Sequence, residues 1–482
     1  MLSDTQLKEK LKHWFGFNDF RPGQKKVIQS LLNAKDTLAV LPTGTGKTLI
    51  YQYFGKTNNK MVLIVSPLIS LMQDQVDRMR YLGEKNTIAL TSSLNWMEKR
   101  QVINSLSSYK YVYVSPEMLS NVDVLNALRK CSIGLMVIDE AHCINQWGPD
   151  FRPEYLNLKN IISKLGHPLM LLLTATASNR VIDDIKEKLA LPQVHTIKYS
   201  TNRPNILLSV EKFMDMTDKN ERLLSLVEKL TKPGIIYFSS KKVADATQEW
   251  LSSKTNFRIE VYHADLDTDT RYRIQHQFMD DQIDIICATS AFGMGIDKNN
   301  IRFVIHYHVP SNLESYVQEM GRAGRDGEKS VSIILYKEND EILQRNFVDE
   351  TIPTDQMIDF FYKHAKQLKN NQMDEKSELI DYYLENGYSA TDTINLFSER
   401  KISQFRALRA MIGYVKTDDC RRKYLLKYFN EDYNNHNENC CDGLNTQLNL
   451  QDNGLLKGIN PYKNHKNNKK WQDIVKTLFY NN

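Results

Sequence analysis

The chain has 482 residues, long enough for about three domains. Hydrophobic residues make up 41% and charged residues 25%, the ordinary balance of a soluble globular protein. No run of 18 apolar residues occurs, which excludes a membrane-spanning helix and points to partners other than a membrane.

The net charge of +5 is unevenly placed: residues 401–482 hold 14 Lys or Arg against 8 Asp or Glu, so the rest is near neutral. A basic C-terminal part suits a phosphate backbone, or it is a merely solvated tail. The N-terminus, MLSDTQLKEKLKHW, lacks the apolar core of a signal peptide and reads as an amphipathic helix. Three of the six cysteines, Cys131, Cys143 and Cys287, sit in or beside apolar strands. No secreted disulfide framework is visible, which places the chain in the cytoplasm, with the nucleoid if it is bacterial.

In chain order, Phe20-Arg21-Pro22-Gly23-Gln24 comes first. A glutamine amide can pair with both edges of adenine, and an arginine can stack on its ring. A strand over Asp36–Leu41 then turns through Pro42-Thr43-Gly44-Thr45-Gly46-Lys47-Thr48 into an apolar helix start. Glycines let backbone N–H groups approach phosphates, and a helix N-terminus adds its positive dipole end. Lys47 suits the β and γ phosphates of ATP, and the Thr48 hydroxyl suits Mg2+. The strict phosphate-loop pattern wants glycine where Leu41 stands.

Further strands follow over Met61–Val65, Tyr111–Val114, Leu135–Ile138 and Leu169–Leu173. Ser66 and Ser115 stand just past two of them, where N–H groups can meet a nucleic-acid backbone. After Ile138 comes DEAHCINQWGPDFRPEY, residues 139–155. Asp139 and Glu140 fall at a strand's C-terminal end, where open α/β sheets place ligands. One carboxylate can hold a metal and the other can work on a water. The loop beyond is expected to be solvated, yet it carries Trp147, Phe151 and Tyr155 beside Arg152, a composition suited to stacking on bases. Thr174-Ala175-Thr176-Ala177-Ser178, past the next strand, can link hydrolysis to movement.

A turn-rich break at residues 199–204 separates this set from strands over Ile235–Phe238, Ile259–Tyr262, Ile283–Cys287, Phe303–His306 and Val331–Leu335. Strands alternating with helices predict an α/β fold with two parallel sheets, each covered on both faces. In the second set, Thr289 and Ser290 can hydrogen-bond phosphates, and Asp297 can contact ribose or couple the cleft to the DNA track. Ser311 or Asn312 caps a helix that leads to Arg322 and Arg325, two arginines able to share one helical face. Across a cleft from Lys47, Arg325 would meet the γ-phosphate, with Arg322 beside it. Residues 338–415 read as helical, and 430–468 as an Asn-rich loop with an apolar patch around Leu448–Leu456.

These motifs, FRPGQ, TGTGKT, the 139–155 segment, TATAS, AFGMGIDK and QEMGRAGRDG, together resemble the RecQ family of superfamily 2 DNA helicases over residues 10–340. The resemblance implies two tandem RecA-like domains, over residues 1–203 and 204–337. A helical, zinc-competent domain over 338–442 and a basic tail over 443–482 would follow. It implies ATP hydrolysis with Mg2+ held by Thr48 and Asp139, Glu140 as general base, and Arg325 as the transition-state arginine. Arg21 and Gln24 would read adenine. His142 would link the cleft to the DNA side, where Trp147 and Phe151 sense single strands. The implied activity is 3′-to-5′ translocation on single-stranded DNA and unwinding of tailed or forked duplexes in repair and recombination, with a single-strand-binding protein as a candidate partner. A translocase or remodeller that does not itself separate strands is the alternative.

The C-terminal part departs from the family pattern. The family sets one cysteine before Arg-Arg and three more spaced C-x-x-C-x-x-C. Here Cys420 and Cys441 fit, but Glu438 and Leu444 stand at the flanking positions. Cys420, His436, Cys440 and Cys441 offer a substitute Cys3His set for Zn2+, although adjacent cysteines strain it; otherwise these are loop thiols in a reducing cytoplasm. About 40 residues after Asp442 are too few for the family's winged-helix module, and the helical bundle beyond it is missing, so the chain reads as a short form.

Overall fold

A computed structural model describes residues 2–67, 69–92, 94–144, 153–293, 298–368, 373–433, 440–443 and 450–456. The first α/β domain holds seven strands: β1 Thr37–Val40, β2 Met61–Val65, β3 Thr87–Leu90, β4 Tyr111–Val114, β5 Ile133–Ile138, β6 Met170–Thr174 and β7 His195–Lys198. Their order across the sheet is β3-β4-β2-β5-β6-β1-β7. The second domain holds β8 Ile206–Phe213, β9 Gly234–Tyr237, β10 Ile259–Tyr262, β11 Ile285–Ala288, β12 Phe303–His306 and β13 Ser330–Lys337, in the order β10-β11-β9-β12-β13-β8.

Every pairing between these strands is parallel. All C-terminal strand ends of one sheet therefore lie along one edge, and that edge is where each domain presents its polar loops. Central strands such as β2 and β12 are buried throughout. Alternate residues of β2 enter separate cores on the two faces, Leu63 and Val65 in one, Val62 and Ile64 in the other. Continuous apolar runs are the signature of strands covered by helices on both sides.

Beyond β13, helices span Glu341–Thr351, Asp355–Leu368, Glu375–Glu385, Ala390–Lys416 and Arg421–Tyr428. The 27-residue helix Ala390–Lys416 starts with a reciprocal capping box between Ser389 and Asp392. Phe397, near its start, joins Ile352, Ile358, Phe361, Ile380 and Tyr383 in a small core. Its far end packs differently. Met411, Tyr414 and Val415, with Cys420, Leu425, Phe429, Cys440 and Cys441, share a core with β8, β9 and β12 of the second α/β domain. The apolar patch near residue 450 also docks there: Leu455 is buried, its carbonyl accepts the Thr231 N–H, and Leu456 bridges Leu230. Among the described residues no helix is long and apolar enough to cross a membrane.

Candidate ATP-hydrolysing cleft and cysteine cluster

Residues 42–48 leave β1 and enter the helix Lys47–Thr57. Gly44 and Gly46 have φ of +81° and +69°, a region L side chains avoid. The helix has no side-chain cap, so the N–H groups of its first turn remain available to an anion. Arg21 and Gln24 brace this loop from behind. Arg21 Nη1 donates to the Gly44 carbonyl, and Gln24 Nε2 donates to those of Thr45 and Gly46, at 2.8 and 3.0 Å. Gln24 Oε1 accepts the Arg21 N–H at 2.9 Å. Gln24 is buried with its amide engaged on both sides, so it reads the loop rather than open space.

Asp139 and Glu140 follow the end of β5 beside this loop. Lys47 Nζ lies 3.7 Å from Glu140 Oε1. Burial and the neighbouring Glu140 raise the Asp139 carboxyl to about 6. Burial also pushes Glu140 upward, but Lys47, His142 and Arg322 together outweigh it and hold Glu140 below the usual carboxylate range. Glu140 has φ +48°, and its Oε2 is buried without a hydrogen bond among the described residues. That oxygen faces His142 Nδ1 at 3.3 Å.

His142 connects this pair to the next strand. Its Nδ1 lies 2.9 Å from Thr174 Oγ1, which itself donates to the Thr176 carbonyl at 2.9 Å. The hydroxyl has one proton and gives it to Thr176, so His142 Nδ1 must be the donor to Thr174. Burial depresses the His142 pKa. His142 and Thr176 then line a cleft of about 830 Å3 shared with Ser239, Thr289 and Ser290 of the second domain and Arg406 of the long helix. Gln404 and Arg406 were invisible to sequence reasoning, because a polar residue on a long helix carries no local signal.

The two arginines do not share a helical face. Their helix ends at Met320, and both lie on the turn that follows. Asn312, not Ser311, caps that helix, accepting the Ser315 N–H at 2.7 Å. Arg322 is buried, donates to the Gly293 carbonyl and acts electrostatically on Glu140. Arg325 lies over the phosphate loop: a Cβ on Gly44 would stand 3.1 Å from its Cγ. Thr43 Oγ1 donates across the cleft to the Gly321 carbonyl at 2.8 Å, so the two domains meet at the phosphate loop itself.

Three expected positions for a nucleic-acid track change. Ser66 and Ser115 are 2% and 1% exposed, and the Ser66 N–H is spent on the Val114 carbonyl. Tyr155 is not an exposed aromatic: it packs in the first domain's core at 1% exposure, because residues 153–157 fold as a short 3-10 turn against it. Thr289 and Ser290 remain accessible on the cleft wall. Trp147, Phe151, Arg152, Asp297 and His436 lie outside the described residues.

The C-terminal cysteines converge. The Sγ atoms of Cys420, Cys440 and Cys441 form a triangle with edges of 3.6, 3.7 and 3.7 Å. A tetrahedral zinc with bonds of about 2.3 Å sets its sulfurs about 3.8 Å apart, so this triangle fits one face of such a site. Adjacent cysteines therefore do not strain the arrangement. The chain bends at Cys440 and Asp442, on either side of a single bridge from Cys441 to Leu208 of β8, and both thiols face Cys420. Hydrogen bonding with Cys420 and Cys440 holds the Cys441 thiol far below its ordinary range, toward the thiolate that binds metal. Asp442 is committed elsewhere, to Arg421 and to the Val210 N–H at 2.7 Å.

Three family models match in succession: DEAD/DEAH box helicase over residues 21–185, helicase conserved C-terminal domain over 218–327, and RecQ zinc-binding over 339–443. The chain is 41% identical over 469 residues to the probable ATP-dependent DNA helicase RecS of Bacillus subtilis, covering 92% of this chain and 93% of that one. The chain belongs to the RecQ family. This RecQ-family chain is also 33% identical to the ATP-dependent DNA helicase RecQ of B. subtilis, over 87% of itself but 64% of that longer relative. Its fold matches that of S. cerevisiae Dbp5 bound to RNA and ADP BeF3, with a TM-score of 0.57 at 20% identity, over 72% of this chain and 90% of Dbp5. The RecQ zinc-binding match ends at the residues that form the cysteine triangle.

Proposed function

We propose that this RecQ-family chain is an ATP-dependent DNA helicase that moves 3′-to-5′ along single-stranded DNA and separates tailed or forked duplexes in repair and recombination. The observation that carries the reading is the convergence of Lys47, Glu140 and the Arg322–Arg325 turn at one cleft between two parallel-sheet domains. Open N–H groups of the helix Lys47–Thr57 receive the phosphates of ATP, with Lys47 on the terminal ones. Thr48 and Asp139 would hold Mg2+, which when bound neutralises phosphate charge.

Glu140 takes the proton of the attacking water. A triphosphate that draws Lys47 away removes the strongest electrostatic partner holding Glu140 low, and so makes it a stronger base. Arg325 reaches the same phosphate from the second domain and stabilises charge as the terminal bond breaks. His142 and Thr174 relay the state of the cleft to Thr176 on the wall shared with the second domain, where Thr289 and Ser290 suit a DNA backbone. Cys420, Cys440 and Cys441 supply three zinc ligands. Purified protein is expected to hold one zinc per chain, lost in Cys441→Ser; a metal-free chain of unchanged thermal stability would reject that assignment.

The deciding experiment is unwinding of two duplexes that differ in carrying a 3′ or a 5′ single-stranded tail, with Lys47→Ala as control. Unwinding of the 3′-tailed duplex alone, absent in the control, supports the motor and its polarity. DNA-stimulated hydrolysis without unwinding of either would instead make the chain a translocase or remodeller, and stimulation by RNA but not DNA would reject the DNA assignment.

A further inference from the structure

We propose that Arg203, in the linker between the two α/β domains, is a positioning residue for the arginine-bearing turn and acts on hydrolysis through Arg325. The inference rests on the preceding reading in taking Arg325 as the transition-state arginine. Past the helix Leu313–Met320 the turn closes on the helix end, the N–H groups of Gly321, Arg322 and Ala323 taking the carbonyls of Val317, Glu319 and Met320. Arg203 grips the turn's own carbonyls with one planar fork. Its Nη1 donates to the Gly321 carbonyl at 3.0 Å, and its Nη2 to those of Ala323 and Gly324 at 3.0 and 2.6 Å. A cation at a helix C-terminus is also favoured by the helix dipole. Asn205 Nδ2 adds donors to Gly324 and Glu328 at 2.8 and 2.9 Å. Arg322 and Arg325 are thus held by a turn whose carbonyls are gripped on both sides of each.

The Gly321 carbonyl accepts from two directions, Arg203 of the linker and Thr43 of the phosphate loop, which uses both of its lone pairs. A Cβ at Gly321 would meet Thr43 Oγ1 at 2.4 Å, so the junction requires glycine. The linker is itself held from behind. Arg422 Nη1 donates to the Arg203 carbonyl at 3.0 Å and to Asn202 Oδ1 at 2.9 Å, and Arg422 Nη2 reaches the Cys440 carbonyl at 3.2 Å. A continuous path of hydrogen bonds therefore runs from the cysteine cluster, through Arg422 and Arg203, to the turn that faces the phosphate loop. Lysine cannot replace Arg203, because a single ammonium on a flexible stem does not span three carbonyls in one plane.

The test is steady-state ATP hydrolysis on saturating single-stranded DNA, with nucleotide and DNA affinities measured separately. Arg203→Ala is expected to lower kcat about ten- to a hundred-fold, the scale of a displaced reacting group, while the KM for ATP and the Kd for DNA stay within about two-fold. Arg203→Lys is expected to recover little of the loss, and it serves as the folded variant should alanine prove unstable. The double variant Arg203→Ala with Arg325→Ala is expected to be no slower than Arg325→Ala alone. Additive losses, an unchanged kcat in both Arg203 variants, or parallel loss of nucleotide and DNA affinity would each overturn the inference. A normal kcat in Arg325→Ala would instead overturn the assignment of the transition-state arginine, and the inference with it.

Discussion

The two α/β domains make the same strand-to-helix turn in opposite ways. In the first, β1 passes into the helix Lys47–Thr57 through left-handed glycines, and no side chain caps the helix. In the second, β9 passes into the helix Lys241–Lys254, and Ser240 closes its start by accepting the Val243 N–H. An uncapped start costs stability but leaves donors for an anion; a capped start is self-sufficient. Under the proposed function, one fold thus gives a domain that holds nucleotide and a domain that answers to it with arginines rather than with a second phosphate loop.

That contrast can be broken from either side. The largest effect is expected from the answering domain: Arg325→Ala should reduce DNA-stimulated hydrolysis by about a thousand-fold or more, with nucleotide affinity little changed in a fluorescent-ATP titration. Gly46→Ser would distort the open start. The left-handed backbone alone would cost about 1–2 kcal/mol, and the new Cβ would stand 3.0 Å from Gln24 Nε2, so nucleotide affinity measured by calorimetry should fall by roughly ten-fold or more. The smallest effect is expected at the closed start. Ser240→Ala should lower unfolding free energy by about 1 kcal/mol in a denaturant titration and leave the KM for ATP unchanged. A loss of nucleotide affinity in that variant would mean the second domain's helix also meets phosphate.

The parallel sheets were legible because their central strands are buried on both faces and read as unbroken apolar runs. The three strands missed, β3, β7 and β8, all lie at sheet edges. β7 shows why: of His195, Thr196, Ile197 and Lys198, Ile197 alone is buried. Short motifs placed Asp139 and Glu140 just past a strand end and Lys47 at a helix start, since those positions follow from local sequence. Contacts that depend on long-range packing were hidden. Arg203 read as part of a turn, and nothing near it in sequence reveals the three carbonyls more than a hundred residues away. The family pattern pointed to Cys420, Cys440 and Cys441, but the shape of their triangle was hidden for the same reason. Its geometry is set by Leu208, whose N–H and carbonyl pair with Cys440 and Asp442 and fix the bend between them.

That pairing has a consequence beyond metal binding. β8 is the outermost strand of its sheet, and an unpaired strand edge is a template on which another chain can add. Here the residues beside the thiols occupy part of that edge, at Leu208. Oxidation of the three sulfurs would therefore bare a sticky margin as well as disturb the cluster. Its first visible sign would be chains sticking to one another, ahead of any fall in hydrolysis per folded molecule.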